Sequence, residues 1–206
     1  MSEPIIHGLF PTPVVFSSVD REFTEKELEF FKKSGETTYK NEGNVTSLNR
    51  RIVDEPEMAT IKAEIEKAVQ HYMDKIVAAK PEVKAYITQS WLNFTSEKQW
   101  HHKHEHPNSF LSGVYYIDAD EENDKITFFN GKGYKQLKLT PSEWNWWNAE
   151  SWWFTVKTGD IVVFPSHLTH MVEQKAGNNV RCSLAFNTFL QGKLGVTEEL
   201  TELILP

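Results

Sequence analysis

A chain of 206 residues with 39% hydrophobic and 25% charged side chains has an ordinary globular makeup, long enough to bury one sizeable core. A formal net charge of −7 without any basic stripe excludes the usual nucleic-acid binder, since Lys32-Lys33 and Asn49-Arg50-Arg51 are too small to make one. A lone cysteine, no signal-peptide pattern in Met1-Ser2-Glu3-Pro4 and no apolar run near ~18 residues point to a cytoplasmic protein that does not enter a membrane.

Residues 5–19 are apolar and carry Pro11 and Pro13, which predicts extended chain or an edge strand. Thr24-Glu25-Lys26-Glu27 is a capping-box pattern ahead of Leu28, Phe30 and Phe31, and so opens a first helix. A second helix is expected from Asp54, with Pro56 in its first turn. Met58, Ile61, Ile65, Val69, Tyr72 or Met73, and Ile76 recur there at helical spacing and form a core stripe. After Pro81 the pattern turns to β, with runs at 85–94, 110–117, 125–129, 152–156, 160–164 and 180–189 rich in aromatic and β-branched residues. Turn signals separate them, and the acidic stretch from Asp118 to Asp124 reads as an exposed loop. Two helices followed by many short strands predict a mainly β protein, a jelly roll with flanking N-terminal helices. It is read as one domain: residues 1–80 hold the extended N-terminus and both supporting helices, and residues 81–206 the jelly-roll core with a metal site.

The chemistry lies in the histidines. Six of the eight fall in Trp100-His101-His102-Lys103-His104-Glu105-His106 and His167-Leu168-Thr169-His170. Neutral imidazole is the commonest protein ligand for transition metals. Strict strand alternation puts His102, His104 and His106 on one face, and His101, Lys103 and Glu105 on the other. Two ligands of the first set, with His170 as a distant third, would complete a site with open positions; His104 with His106 and His102 with His104 have the same spacing. His167 is read as lying outside the ligand set or on the surface. Further on, alternation gives Arg181, Ser183, Ala185 and Asn187 a common face. An inward guanidinium needs an anion, either a ligand carboxylate gripped in bidentate fashion or an internal Asp or Glu. The dense tryptophans, Trp144, Trp146, Trp147, Trp152 and Trp153, suit packing of an inserted hairpin or a subunit contact better than a substrate entrance.

His-x-His, a distant histidine and then Arg-x-Ser resemble the iron(II)- and 2-oxoglutarate-dependent oxygenases. The stretch His104-Glu105-His106-Pro107-Asn108-Ser109-Phe110-Leu111-Ser112-Gly113-Val114-Tyr115-Tyr116 is similar to one branch found in bacteria and their viruses. Gly8-Leu9-Phe10-Pro11-Thr12-Pro13-Val14, Phe164-Pro165-Ser166 and Phe186-Asn187-Thr188-Phe189 extend the likeness over nearly the whole chain. The resemblance implies a double-stranded β-helix with His104, His106 and His170 as iron ligands. It gives Arg181 and Ser183 the distal carboxylate of 2-oxoglutarate and Asn93 a contact with that cosubstrate, with O2 as the second one. The implied reaction hydroxylates an unactivated C–H bond of a small-molecule or peptide substrate, releasing succinate and CO2. Oligomerisation is left open.

One position departs from the pattern. Two histidines and a carboxylate are usual, and His106 stands where the carboxylate would be. Three imidazoles also fit a cupin-type zinc or iron enzyme that does not use 2-oxoglutarate. A noncatalytic jelly-roll binding module with a structural metal is the remaining alternative. Arg181-Cys182-Ser183 favours the oxygenase over both.

Overall fold

The computed structural model describes residues 3–131 and 139–206; of the N-terminal tetrapeptide, Met1 and Ser2 lie outside that range. The polypeptide folds as two antiparallel sheets facing each other, a jelly roll with helices on one outer face.

The N-terminal part begins with the edge strand β1 (Val15–Ser18) and helix α1 (Glu25–Glu36). The predicted capping box is in place: the Glu27 backbone N–H donates to Thr24 Oγ1 (3.3 Å), and the Thr24 backbone N–H donates to Glu27 Oε2 (2.7 Å). Two short strands, β2 (Thr38–Lys40) and β3 (Val45–Ser47), follow. The second helix starts later than the sequence suggests. Residues Ile52–Asp54 and Pro56–Met58 are 3-10 turns, α2 runs Ala59–Tyr72, and a π turn closes it at Met73–Val77. Proline lacks the N–H and fits a first turn, but here that turn closes after three residues before the α-helix begins. The stripe from Met58 to Met73 is buried as expected, whereas Ile76, in the π turn, is 37% exposed.

The remaining strands are β4 (Lys84–Thr95), β5 (His101–His104), β6 (Leu111–Asp118), β7 (Lys125–Phe129), β8 (Ser151–Thr155), β9 (Asp160–Pro165), β10 (His170–Val172), β11 (Arg181–Leu194) and β12 (Leu203–Leu205). The larger sheet runs β1-β9-β6-β11-β4-β3-β2, with β12 on the far end of β11; the smaller runs β5-β10-β7-β8. Alternation sorts the large sheet's residues between two cores. Leu111, Tyr115, Ile161, Val163, Cys182, Leu184 and Phe186 pack with α2, while Tyr116, Val162 and Phe164 meet Ile126 and Phe128 of the small sheet. Because both faces of β11 are covered, Arg181 through Thr188 are all buried. The inward-facing half of that strand is therefore what the fold offers to chemistry. No described helix is long and apolar enough to cross a membrane.

Candidate metal and anion centre

His104 ends β5 and pairs directly with His170 at the start of β10; His106 lies two residues past the strand end. The His106 backbone N–H donates to the Ser166 carbonyl (3.0 Å), and Thr169 Oγ1 donates to the Glu105 carboxylate, so the two ligand-bearing segments are tied twice. The side-chain donor atoms of His104, His106 and His170 all lie within 4.8 Å of one another.

The tautomers follow from the hydrogen bonds. His104 Nδ1 is 2.7 Å from the His102 carbonyl, and His170 Nδ1 is 2.9 Å from the Leu168 carbonyl. A carbonyl oxygen only accepts, so each Nδ1 carries the proton and donates it. Each Nε2 is left with a bare lone pair, the state a metal ligand needs. Burial lowers the pKa of His170 to about 3 and that of His106 to about 4, with neighbouring imidazoles adding to the effect; His104 is lowered by the same cause. All three are held neutral. The donor set fits a first-row divalent ion.

Strict alternation in β5 does not survive. His170 pairs with His104 and Val172 with His101, so two steps on β10 span three on β5. The extra residue is a bulge. It brings His101 to the cavity side with His104, their rings stacked at 4.6 Å and 19°, contrary to the expectation that His101 faces away. His101, His102 and His104 also bring donor atoms within 4.8 Å. His104, however, has a single free nitrogen and can serve only one ion. His102 is not grouped with His170 and sits 3.9 Å from Glu42. The His104–His106–His170 set joins both segments, whereas the other is confined to one strand.

Arg181 and Ser183 of β11 and Asn93 of β4 line the same cavity as these histidines, together with Trp91, Asn44 and Tyr116. Asn93 and Ser183 are direct partners across the strands, and Trp91 Nε1 donates to Asn93 Oδ1 (3.2 Å). The cavity is narrow, about 30 Å³. Alternation places Ala185 there as well, and Asn187 beyond it accepts from Ser112 Oγ (2.8 Å).

The guanidinium meets an internal acid. Arg181 Nη1 is 3.3 Å from Asp124 Oδ1, and Nη2 donates to Thr95 Oγ1 (3.2 Å). Asp124, expected in an exposed acidic loop, is 1% exposed. It closes that loop from inside, accepting the Asp120 backbone N–H at Oδ2 (2.9 Å). Asp124 Oδ1 is shared with Lys175 Nζ, also at 3.3 Å. Neither Lys175 nor Asp124 stood out in the sequence, because Glu173-Gln174-Lys175 reads as solvated surface and Asp124 as the end of an acidic run.

The tryptophans lie elsewhere. Trp146 stacks on Trp152 (4.3 Å, 27°) and with Trp147 lines an open cleft of about 1070 Å³, whose rim includes Glu105, His167 and Thr169. His167 thus lies outside the three-histidine cluster, as expected.

A jelly roll that presents three inward neutral histidines beside a buried arginine offers the donors of a non-haem metal site with a cation next to it. Residues 89–187, which hold all three histidines and Arg181, match the family model described as a 2OG-Fe(II) oxygenase. A search of curated proteins finds no match. Among solved structures, the fold is similar to HygX from Streptomyces hygroscopicus with nickel, 2-oxoglutarate and hygromycin B bound, at 12% identity and TM-score 0.57, covering 86% of this chain and 82% of that one. It is similar at 13% identity and TM-score 0.57 to the non-haem α-ketoglutarate-dependent carbocyclase SnoK from nogalamycin biosynthesis, covering 91% and 84%. An oxidoreductase of the 2OG-Fe(II) oxygenase family from Burkholderia pseudomallei shares 13% identity at TM-score 0.53, covering 79% and 76%.

Proposed function

We propose that this protein couples oxidative decarboxylation of 2-oxoglutarate to hydroxylation of an unactivated C–H bond in a small-molecule or peptide substrate. In this reading His104, His106 and His170 hold iron(II), Arg181 with Ser183 takes the distal carboxylate of 2-oxoglutarate, and Asn93 contacts the cosubstrate. The observation that carries it is the convergence of three imidazoles and a buried guanidinium on one cavity. Bound iron supplies the redox chemistry with O2 that side chains lack. The protein's part is to hold the imidazoles neutral, orient the dicarboxylate and keep water out. The narrow cavity must widen when 2-oxoglutarate enters. The 2-oxoglutarate bound to HygX supports the cosubstrate assignment. The carbocyclase name of SnoK shows that a protein of this fold reaches another outcome, so the product must be identified directly.

The test is succinate formation from 2-oxoglutarate by the iron(II)-loaded protein in air, compared with Arg181→Ala. Removing the guanidinium should weaken 2-oxoglutarate binding by roughly a hundredfold or more, a loss on the order of 3 kcal/mol. Equal affinity in both proteins, or no succinate from the wild type, contradicts the reading.

A further inference from the structure

Two cations and one carboxylate are buried together behind the cavity. The side chains of Lys175, Asp124 and Arg181 are 0%, 1% and 3% exposed. Both cations reach the same atom, Asp124 Oδ1, at 3.3 Å. Among the described residues neither Lys175 Nζ nor Arg181 Nε has a hydrogen-bond partner. The Lys175 contact is one of charge, without donor alignment. These three side chains hold one positive charge more than they neutralise; the partly exposed Asp120 carboxylate also acts on Lys175, but across solvent that screens it. A buried charge left uncompensated is strongly destabilising, and its natural relief is an anion.

The placement decides which cation remains available. Lys175 sits on the turn after β10, its backbone anchored to Lys98 and Gln99, and it does not line the cavity. Arg181 does line it. If Arg181 alone faced Asp124, the two would close as a neutral pair and present little field to a ligand. With Lys175 neutralising Asp124, the charge of Arg181 is left for the cavity. We propose that Lys175 is a positioning residue for the anionic cosubstrate: through Asp124 it keeps Arg181 free to bind a carboxylate. This rests on the 2-oxoglutarate reading and goes beyond it, because Lys175 never touches the ligand. Asp124 takes the matching role of fixing the guanidinium's direction, with Thr95 as its second anchor.

Calorimetric titration of 2-oxoglutarate into the full chain, loaded anaerobically with iron(II), tests it on four proteins: wild type, Lys175→Met, Asp124→Asn and the double variant. Lys175→Met should bind 2-oxoglutarate at least about tenfold more weakly, because Arg181 and Asp124 then neutralise each other. Iron uptake should be unchanged. Adding Asp124→Asn to Lys175→Met restores one free positive charge and a neutral acceptor, so affinity should return to within about threefold of wild type. Asp124→Asn alone leaves two cations and should not bind more weakly than wild type. Wild-type affinity in Lys175→Met overturns the proposal, and so does a double variant as weak as Lys175→Met. If Lys175→Met does not fold, the double variant, with the charge balance of wild type, decides alone: near-wild-type affinity supports the proposal, and lost affinity overturns it. A wild type that takes up iron but binds no 2-oxoglutarate overturns the cosubstrate reading itself, an outcome distinct from the others.

Discussion

At the scale of the residue, metal binding depends on which imidazole nitrogens are free. His104 and His170 spend Nδ1 on backbone carbonyls, which fixes Nε2 as the ligand atom before any metal arrives. His170→Ala should therefore abolish stoichiometric metal uptake in a folded protein, as read by elemental analysis. His102→Ala should leave uptake intact, because His102 is not grouped with His170. Loss of metal in His102→Ala, or its full retention in His170→Ala, would reassign the ligands. Clustered imidazoles and an inward guanidinium need special surroundings, which made His104, His106, His170 and Arg181 candidates in the sequence, and the fold brings them to one cavity. Lys175 and Asp124 were not such candidates. A lysine or aspartate in a polar run looks solvated until the fold closes over it, and nothing local records that closure.

At the scale of the element, long strands and the first helix were legible from period and capping. Three-residue strands such as β2, β3, β10 and β12 are too short to show a period, and they exist because a neighbour pairs with them. The bulge in β5 belongs to the same class. It is set by the β10 partner, and it turns His101 inward against the alternation rule. The β6–β11–β9 contact is tight in a way that composition does not reveal. A Cβ on Gly113 would lie 2.2 Å from Phe186 Cζ and 2.6 Å from the Val162 carbonyl oxygen. Both neighbours are buried, so Gly113→Ala should destabilise the protein by about 1–3 kcal/mol, measured by denaturant unfolding. Unchanged stability would mean that these strands separate more easily than their packing implies.

At the scale of the whole molecule, helices cover one face of the large sheet, and the small sheet covers the other. The space between the sheets is where polar groups are forced to meet. The jelly roll was legible from the order of helices and strands; the size of the cavity was not, since it depends on how far the sheets stand apart. Burying imidazoles there has a cost that pH exposes. His101, His106 and His170 have folded pKa values lowered by burial to about 3, 4 and 3, against about 6.5 in an unfolded chain. Between those values the unfolded state binds more protons, so stability must rise with pH. The stability of the metal-free protein should be fully present above about pH 6.5 and fall progressively toward pH 4. Denaturant unfolding should thus show a lower unfolding free energy at pH 5 than at pH 7.5, and equal values would contradict the burial of these rings.

One ion bound by His104, His106 and His170 and one 2-oxoglutarate held by Arg181 are proposed to share the cavity. Anaerobic addition of iron(II) and then 2-oxoglutarate, followed by visible absorption, tests it most directly. One iron per chain is expected, with a visible charge-transfer band that appears only when 2-oxoglutarate is added and is lost in His170→Ala. Iron binding with no band on adding 2-oxoglutarate, or a band that persists in His170→Ala, would contradict it.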